Sequence, residues 1–194
     1  GLTGGIASGK SLISGWFEKS RIPVIDADFV YKRLTKPGNL LYNEIINRIP
    51  GTVLTGDGSI DWPELGKKAF SDAGFRQNLE HITHPAVKTE ILSETDRLEA
   101  SGVPMVIISA PLLYESGFDA VCDRIIVVYA EMETMVSRLS ARDGIDASLA
   151  RKKIASQMPL GEKADKADYV IDNSGDMDST RREFERILST IRSD

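Results

Sequence analysis

The sequence predicts an α/β protein: a three-layer core around a parallel five-stranded sheet, interrupted by a helical insertion and a smaller helical lid. Three observations carry this. Short apolar runs alternate with helical patterns, as βαβ units around a buried parallel sheet require. A glycine-rich loop lies between the first apolar stub and the first helix. One stretch of some seventy residues breaks the rhythm, far more than a crossover needs.

Taken in order, Gly1–Thr3 reads as the end of a first strand, because a loop of this kind normally follows a full buried strand. Lys10–Lys19 is the first helix, with Trp16 and Phe17 as packing residues. Ile22–Ile25 is the second strand, and Met105–Ser109, Arg124–Tyr129 and Tyr169–Ile171 are the others. Glu131–Ala141 and Asp178–Ile191 read as helices that return across the sheet. Between Tyr31 and Gly102 lie helical segments and turn signals (Pro37-Gly38, Pro50-Gly51, Gly56-Asp57-Gly58) without a strong strand. Asp61 followed by Pro63 marks a helix start. Asp143–Lys166 is charged and helical, with Asp146 as its N-cap. The expected division is therefore a core of residues 1–30, 103–142 and 167–194, an insertion of 31–102 and a lid of 143–166.

Composition sets the class. The 194 residues are 41% hydrophobic and 27% charged, ordinary for a globular chain. A net charge of −5 argues against a nucleic-acid binder, which needs a basic field to displace counterions. Cys122 is the single cysteine, so no internal disulfide forms, and a reducing cytoplasm is the expected location. Val103–Leu113, the longest nearly apolar run, is too short to cross a bilayer. A monomer or weak homo-oligomer is expected.

Gly4-Gly5-Ile6-Ala7-Ser8-Gly9-Lys10-Ser11 satisfies G-x-x-x-x-G-K-[ST] at every defined position. Glycines let the backbone curl until successive N–H groups face a phosphate. The helix behind adds its positive N-terminal end. Lys10 then reaches the β- and γ-phosphates, and the Ser11 hydroxyl ligates Mg²⁺. A glycine turn that only caps a helix would not need the lysine and serine at this spacing. The loop alone fits GTPases, ATPase motors and small-molecule kinases. Against a GTP switch, the only D-x-x-G is Asp172–Gly175, near the C-terminus, and N-K-x-D is absent. A nucleotide-dependent interaction module is the reading from a different class.

Other residues leave two readings open. Asp26 and Asp28 end the second strand, where ligands of open α/β sheets gather. One of them can orient or deprotonate an acceptor hydroxyl, while Asp26 can equally cap a helix starting at Ala27. His84 precedes Pro85, and periodicity favours a residue at the start of a long helix. No aspartate ends the Met105–Ser109 strand, so Mg²⁺ leans on Ser11, phosphates and water, with Glu115 the nearest acid in sequence. Arg138 and Arg142 share a helix face. They can neutralise the charge that builds up in phosphoryl transfer, or form a solvated basic face. Arg151, Lys152, Lys153, Lys163 and Lys166 read as mostly solvated.

Several blocks together resemble the dephospho-CoA kinases, over the full chain and in the right order. They are Gly1–Ser11, Val24-Ile25-Asp26-Ala27-Asp28, His84-Pro85, Pro111-Leu112-Leu113-Tyr114-Glu115, Arg138-Leu139 with Arg142-Asp143, Ser156-Gln157-Met158 and Ala167–Asn173. The resemblance implies a P-loop NTPase core, like that of nucleoside monophosphate kinases, whose insertion binds the acceptor. It implies transfer of the ATP γ-phosphate to the ribose 3′-hydroxyl of dephospho-CoA, with Mg²⁺. By match to these blocks, Asp28 becomes the base, with Asp26 close by, and His84, Leu113 and Glu115 become acceptor-site residues. Arg142 becomes the leading charge stabiliser, assisted by Arg138, and Asn173 an adenine contact. Gly4 through Leu12 become the nucleotide loop. Two positions depart from the family pattern: Ala7 stands for a usual glycine and Leu12 for a usual threonine that could touch the α-phosphate.

Overall fold

The apolar runs form five strands in the computed structural model, which describes residues 1–193. They are β1 (Leu2–Gly4), β2 (Val24–Asp26), β3 (Ile107–Ser109), β4 (Ile126–Tyr129) and β5 (Tyr169–Asp172). Their order across the sheet is β2-β3-β1-β4-β5. The pairs β1–β3, β1–β4 and β4–β5 are parallel, and Leu2, Thr3 and Gly4 lie beside Ile126, Val127 and Val128. This register brings the carboxyl ends of β1, β4 and β5 to one edge. Loops that leave from there share a ligand-binding crevice in open parallel sheets.

The described helices are α1 (Lys10–Lys19), α2 (Ala27–Leu34), α3 (Leu40–Arg48), α4 (Trp62–Ser71), α5 (Ala73–Ala100), α6 (Met132–Asp143), α7 (Ala147–Ile154), α8 (Leu160–Asp165) and α9 (Met177–Ser193). The second strand begins later than the apolar run Ile22–Ile25 suggests, because Ile22 belongs to the end of α1. Its N–H bonds to the Phe17 carbonyl at 3.0 Å, and the Arg21 N–H bonds to Glu18 at 2.9 Å. That pair of bonds is a Schellman closure, with Arg21 at φ +62° in the place glycine usually takes.

By its contacts the chain divides into two compact units: Gly1–Val24 with Met105–Asp194, and Ile25–Pro104. In the first, α1 and α9 build an aromatic core against the sheet. Phe184 meets Phe17 edge-on at 4.9 Å and Trp16 at 5.4 Å, with Leu2, Ile13, Val128 and Ile187 buried around them. Trp16 and Phe17 are thus packing residues, as expected. The second unit buries Leu41, Tyr42, Ile45, Leu65, Phe75 and Leu79 in a core of its own. Beyond the end of β2, its sole strand-like feature among the described residues is a single antiparallel bridge, Leu54 with Ile60.

Helix starts follow their caps. Asp61 accepts from the Glu64 N–H at 3.1 Å with Pro63 in the first turn of α4, and Asp146 accepts from the Leu149 N–H at 2.9 Å. Pro85 corrects the sequence reading. It does not begin a helix but lies inside α5, which starts twelve residues earlier where Asp72 accepts from the Phe75 N–H at 2.9 Å. An interior proline costs about 3 kcal/mol. The buried face of Phe75, Leu79, Val87 and Ile91 outweighs it, at about 1.5–3 kcal/mol for each buried side chain.

His84, on the same helix, is half-buried, and burial pushes its imidazole below the ordinary value of 6.5 against the opposing pull of Glu80. A folded-state value below the unfolded one favours the neutral ring, so its contribution to stability is present above pH 6.5 and lost on acidification. An NMR titration should place the His84 midpoint below 6.5; a midpoint above it would contradict this environment. Phe184→Ala should lower unfolding free energy by about 3–5 kcal/mol in denaturant titration. A loss below about 1 kcal/mol would mean the aromatic cluster is not the core of its unit.

Candidate active site

Glycines at the two ends of the phosphate loop are dictated by close approach. A Cβ on Gly4 would lie 2.5 Å from Ser8 Oγ and 2.8 Å from the Val128 carbonyl oxygen. One on Gly9, at φ +102°, would lie 2.0 Å from Asn173 Nδ2. Between them the chain turns through a Ser8 N–H bond to the Gly5 carbonyl at 3.1 Å and enters α1 with Leu12 N–H bonded to Gly9 at 2.9 Å. Ala7, at φ +62°, holds the left-handed conformation without being glycine. Such a residue costs about 1–2 kcal/mol relative to the right-handed region. The Ser8 side chain is wholly buried, and its Oγ has no hydrogen-bond partner among the described residues.

Lys10 reaches back to the end of β3, where its Nζ donates to Ser109 Oγ at 2.6 Å. Ser109 is wholly buried, with Ser14 Oγ at 3.3 Å. A serine hydroxyl therefore stands where the missing aspartate would end this strand. The Ser11 hydroxyl, in the first turn of α1, is exposed. Leu12 packs its side chain against the aromatic core. These features fit a nucleotide with its cation: curled N–H groups, a helix N-terminus, a lysine and an open hydroxyl. Among the described residues no cluster of three or more His, Cys, Asp or Glu could hold a metal ion alone, so a cation here would share phosphate oxygens with Ser11.

Two side-chain amides clamp the loop. Asn173, just past β5 and 5% exposed, donates from Nδ2 to the Ser8 carbonyl at 2.7 Å and accepts at Oδ1 from Thr180 Oγ1 at 3.2 Å. Its backbone carbonyl accepts from Arg138 Nη2 at 2.9 Å. Gln157 Oε1 accepts from the Ile6 N–H at 3.0 Å. The amide of Asn173 is thus engaged on the loop itself, while Arg138 keeps Nη1 buried without a hydrogen-bond partner among the described residues.

One residue that reads as solvated in the sequence is the reverse in the structure. Lys163 is 0% exposed. Its Nζ donates to the Pro111 carbonyl at 2.7 Å and to both Glu115 oxygens, at 2.9 and 3.1 Å. Glu115 Oε1 also accepts from the Met158 N–H at 3.0 Å. Removing one partner of such a pair strands a buried charge and costs about 3–5 kcal/mol. Glu115 is therefore committed to holding the α7–α8 connection, and Leu113, 0% exposed, is packed inside. The other basic residues of this segment divide: Arg151 makes a two-pronged bond to Glu133 at 2.7 and 2.7 Å, and Lys153 lies 3.4 Å from Asp143. Arg142 is exposed, with Nε on Asp143 Oδ1 at 2.7 Å. It sits on α6 one turn beyond Arg138, as the spacing predicts.

Asp26, Asp28 and His84 belong to the Ile25–Pro104 unit. Asp26 Oδ1 accepts from the Phe29 N–H at 3.0 Å, which is the capping role. Asp28 is exposed in the first turn of α2, where an acid interacts favourably with the helix dipole.

Comparison with known proteins agrees with this geometry. The family model described as dephospho-CoA kinase matches residues 1–179. A dephospho-CoA kinase of Symbiobacterium thermophilum is 43% identical over 185 residues, covering 95% of this chain and 77% of that protein. One of Anaeromyxobacter dehalogenans is 40% identical over 192 residues, covering 99% and 91%. Among solved structures, the dephospho-CoA kinase from Campylobacter jejuni superposes with a TM-score of 0.69 at 26% identity, covering 98% of this chain and 94% of that one. With the phosphate loop, the sheet order and a match along nearly the whole sequence in agreement, the chain belongs to the dephospho-CoA kinase family.

Proposed function

We propose that the protein transfers the γ-phosphoryl group of ATP to the ribose 3′-hydroxyl of dephospho-CoA, giving coenzyme A and ADP. The observation that carries this reading is a complete, clamped phosphate loop at the head of a chain that matches this kinase family over residues 1–179. A P-loop alone would leave the acceptor open; the family supplies it.

The acceptor hydroxyl oxygen bonds to the γ-phosphorus as the bond from that phosphorus to its bridging oxygen breaks, and ADP leaves with the electron pair. The hydroxyl proton passes to the Asp28 carboxylate. Loop N–H groups and the α1 N-terminus hold the phosphates. Lys10 leaves Ser109 for the β- and γ-phosphate oxygens, and Arg142 and Arg138 meet the charge spread over the transferred group. Mg²⁺, where bound, neutralises charge on the β- and γ-phosphates, with Ser11 the residue that would hold it. Residues 31–102 bind the acceptor and His84 lines its site. Residues 143–166 close as a lid that excludes water, which would otherwise take the phosphoryl group.

The test is ADP release from Mg·ATP with dephospho-CoA, AMP, CMP or adenosine as acceptor. Stimulation by dephospho-CoA alone is expected; equal stimulation by another acceptor would overturn the substrate. Lys10→Ala should lower turnover by about 10²–10³-fold or more, as loss of a principal charge-stabilising donor does. Asp28→Asn should lower kcat by about 10²–10⁴-fold with ATP affinity nearly unchanged. Near-normal turnover in Asp28→Asn would remove the aspartate from the chemistry.

A further inference from the structure

Ala7 sits at φ +62°, a conformation its methyl group disfavours. The next peptide group out on each side, Gly5–Ile6 and Ser8–Gly9, is held by a side chain from far along the chain. Gln157 accepts from the Ile6 N–H at 3.0 Å, and Asn173 donates to the Ser8 carbonyl at 2.7 Å. Asn173 is fixed by β5, since its own N–H bonds to the Tyr129 carbonyl at 2.8 Å. Gln157 lies in the connection between α7 and α8 and has no such strand. Its position comes from the next residue: Met158 N–H bonds to Glu115, and Glu115 is held by the wholly buried Lys163. A buried ion pair thus sets the register of the segment whose one amide reaches the phosphate loop.

We propose that Gln157 is a positioning residue for the phosphate loop. By holding the Ile6 peptide it keeps Ala7 left-handed before nucleotide arrives, so the loop N–H groups are already turned inward. The inference rests on reading this loop as the nucleotide site, and adds to it what maintains the loop's shape. Preorganisation of this kind raises affinity by removing the cost of reshaping on binding. Without the Gln157 acceptor, the strain at Ala7 favours a relaxed loop. A glycine at position 7 carries no such strain, so it should make Gln157 dispensable. The coupling between positions 7 and 157 is the distinguishing feature, because a residue that merely packs would not depend on the backbone preference of residue 7.

The experiment compares wild type, Gln157→Met, Ala7→Gly and the double variant by two measurements. Hydrogen exchange of the Ile6 amide in the nucleotide-free protein should quicken by about tenfold or more in Gln157→Met, as local protection is lost. Affinity for Mg·ATP by calorimetry should fall about two- to tenfold in Gln157→Met, the equivalent of one hydrogen bond. The double variant should bind within about twofold of Ala7→Gly alone, the non-additivity expected of coupled neighbours. Unchanged Ile6 exchange in Gln157→Met overturns the brace. The same loss of affinity in the Ala7→Gly background overturns the link to strain. A wild type that binds no Mg·ATP while Ile6 exchange responds as stated overturns the nucleotide reading and the affinity role, and leaves a brace of purely structural meaning.

Discussion

Everything at this site depends on the curl of the phosphate loop between Gly4 and Gly9, which carries the chain from β1 into α1. That curl needs backbone conformations that ordinary residues avoid. The chain meets this constraint with glycine where contact forbids a side chain, at Gly4 and Gly9. It meets it with hydrogen bonds to Gln157 and from Asn173 where an alanine sits in the left-handed region. The lysine is stored nearby, on a buried serine hydroxyl.

The sheet makes those hydrogen bonds possible. Parallel pairing of β4 with β5, Tyr129 beside Asp172, delivers Asn173 to the height of the loop that follows β1. The same residue then collects Thr180 from α9 and Arg138 from α6. One buried residue thus links the phosphate loop, through its side-chain amide, to the helix that carries both arginines, through its backbone carbonyl. On the other flank, Lys163 and Glu115 hold the α7–α8 connection against the segment after β3. A buried lysine is costly to desolvate. Here three oxygen acceptors offset that cost, and the result is a fixed place for Gln157.

Local signals were legible in the sequence. The phosphate loop, the caps at Asp26, Asp61 and Asp146, the packing of Trp16 and Phe17, and the strand-poor stretch before β3 all depend on neighbours within a few residues. What escaped depends on distant partners. Lys163 looked like a solvated charge because nothing near it in sequence announces Glu115, 48 residues earlier. Ser109 carried no motif, and its role appears only when Lys10, 99 residues away, lies on it. Pro85 misled because proline usually marks a boundary, whereas here the buried face of α5 overrides it. Asn173 was singled out by resemblance alone and Glu115 also as the acid nearest the end of β3, and their observed partners are internal ones. Gln157 stood in a recognised block without a role until its contact with Ile6 supplied one.

The most direct measurement is the position of the phosphate in the product, read by phosphorus–proton correlation NMR after reaction of Mg·ATP with dephospho-CoA. One new phosphomonoester on the ribose 3′-oxygen, formed together with ADP in equal amount, is the predicted result. Phosphate on any other oxygen, or ADP and free phosphate with dephospho-CoA unchanged, would contradict it.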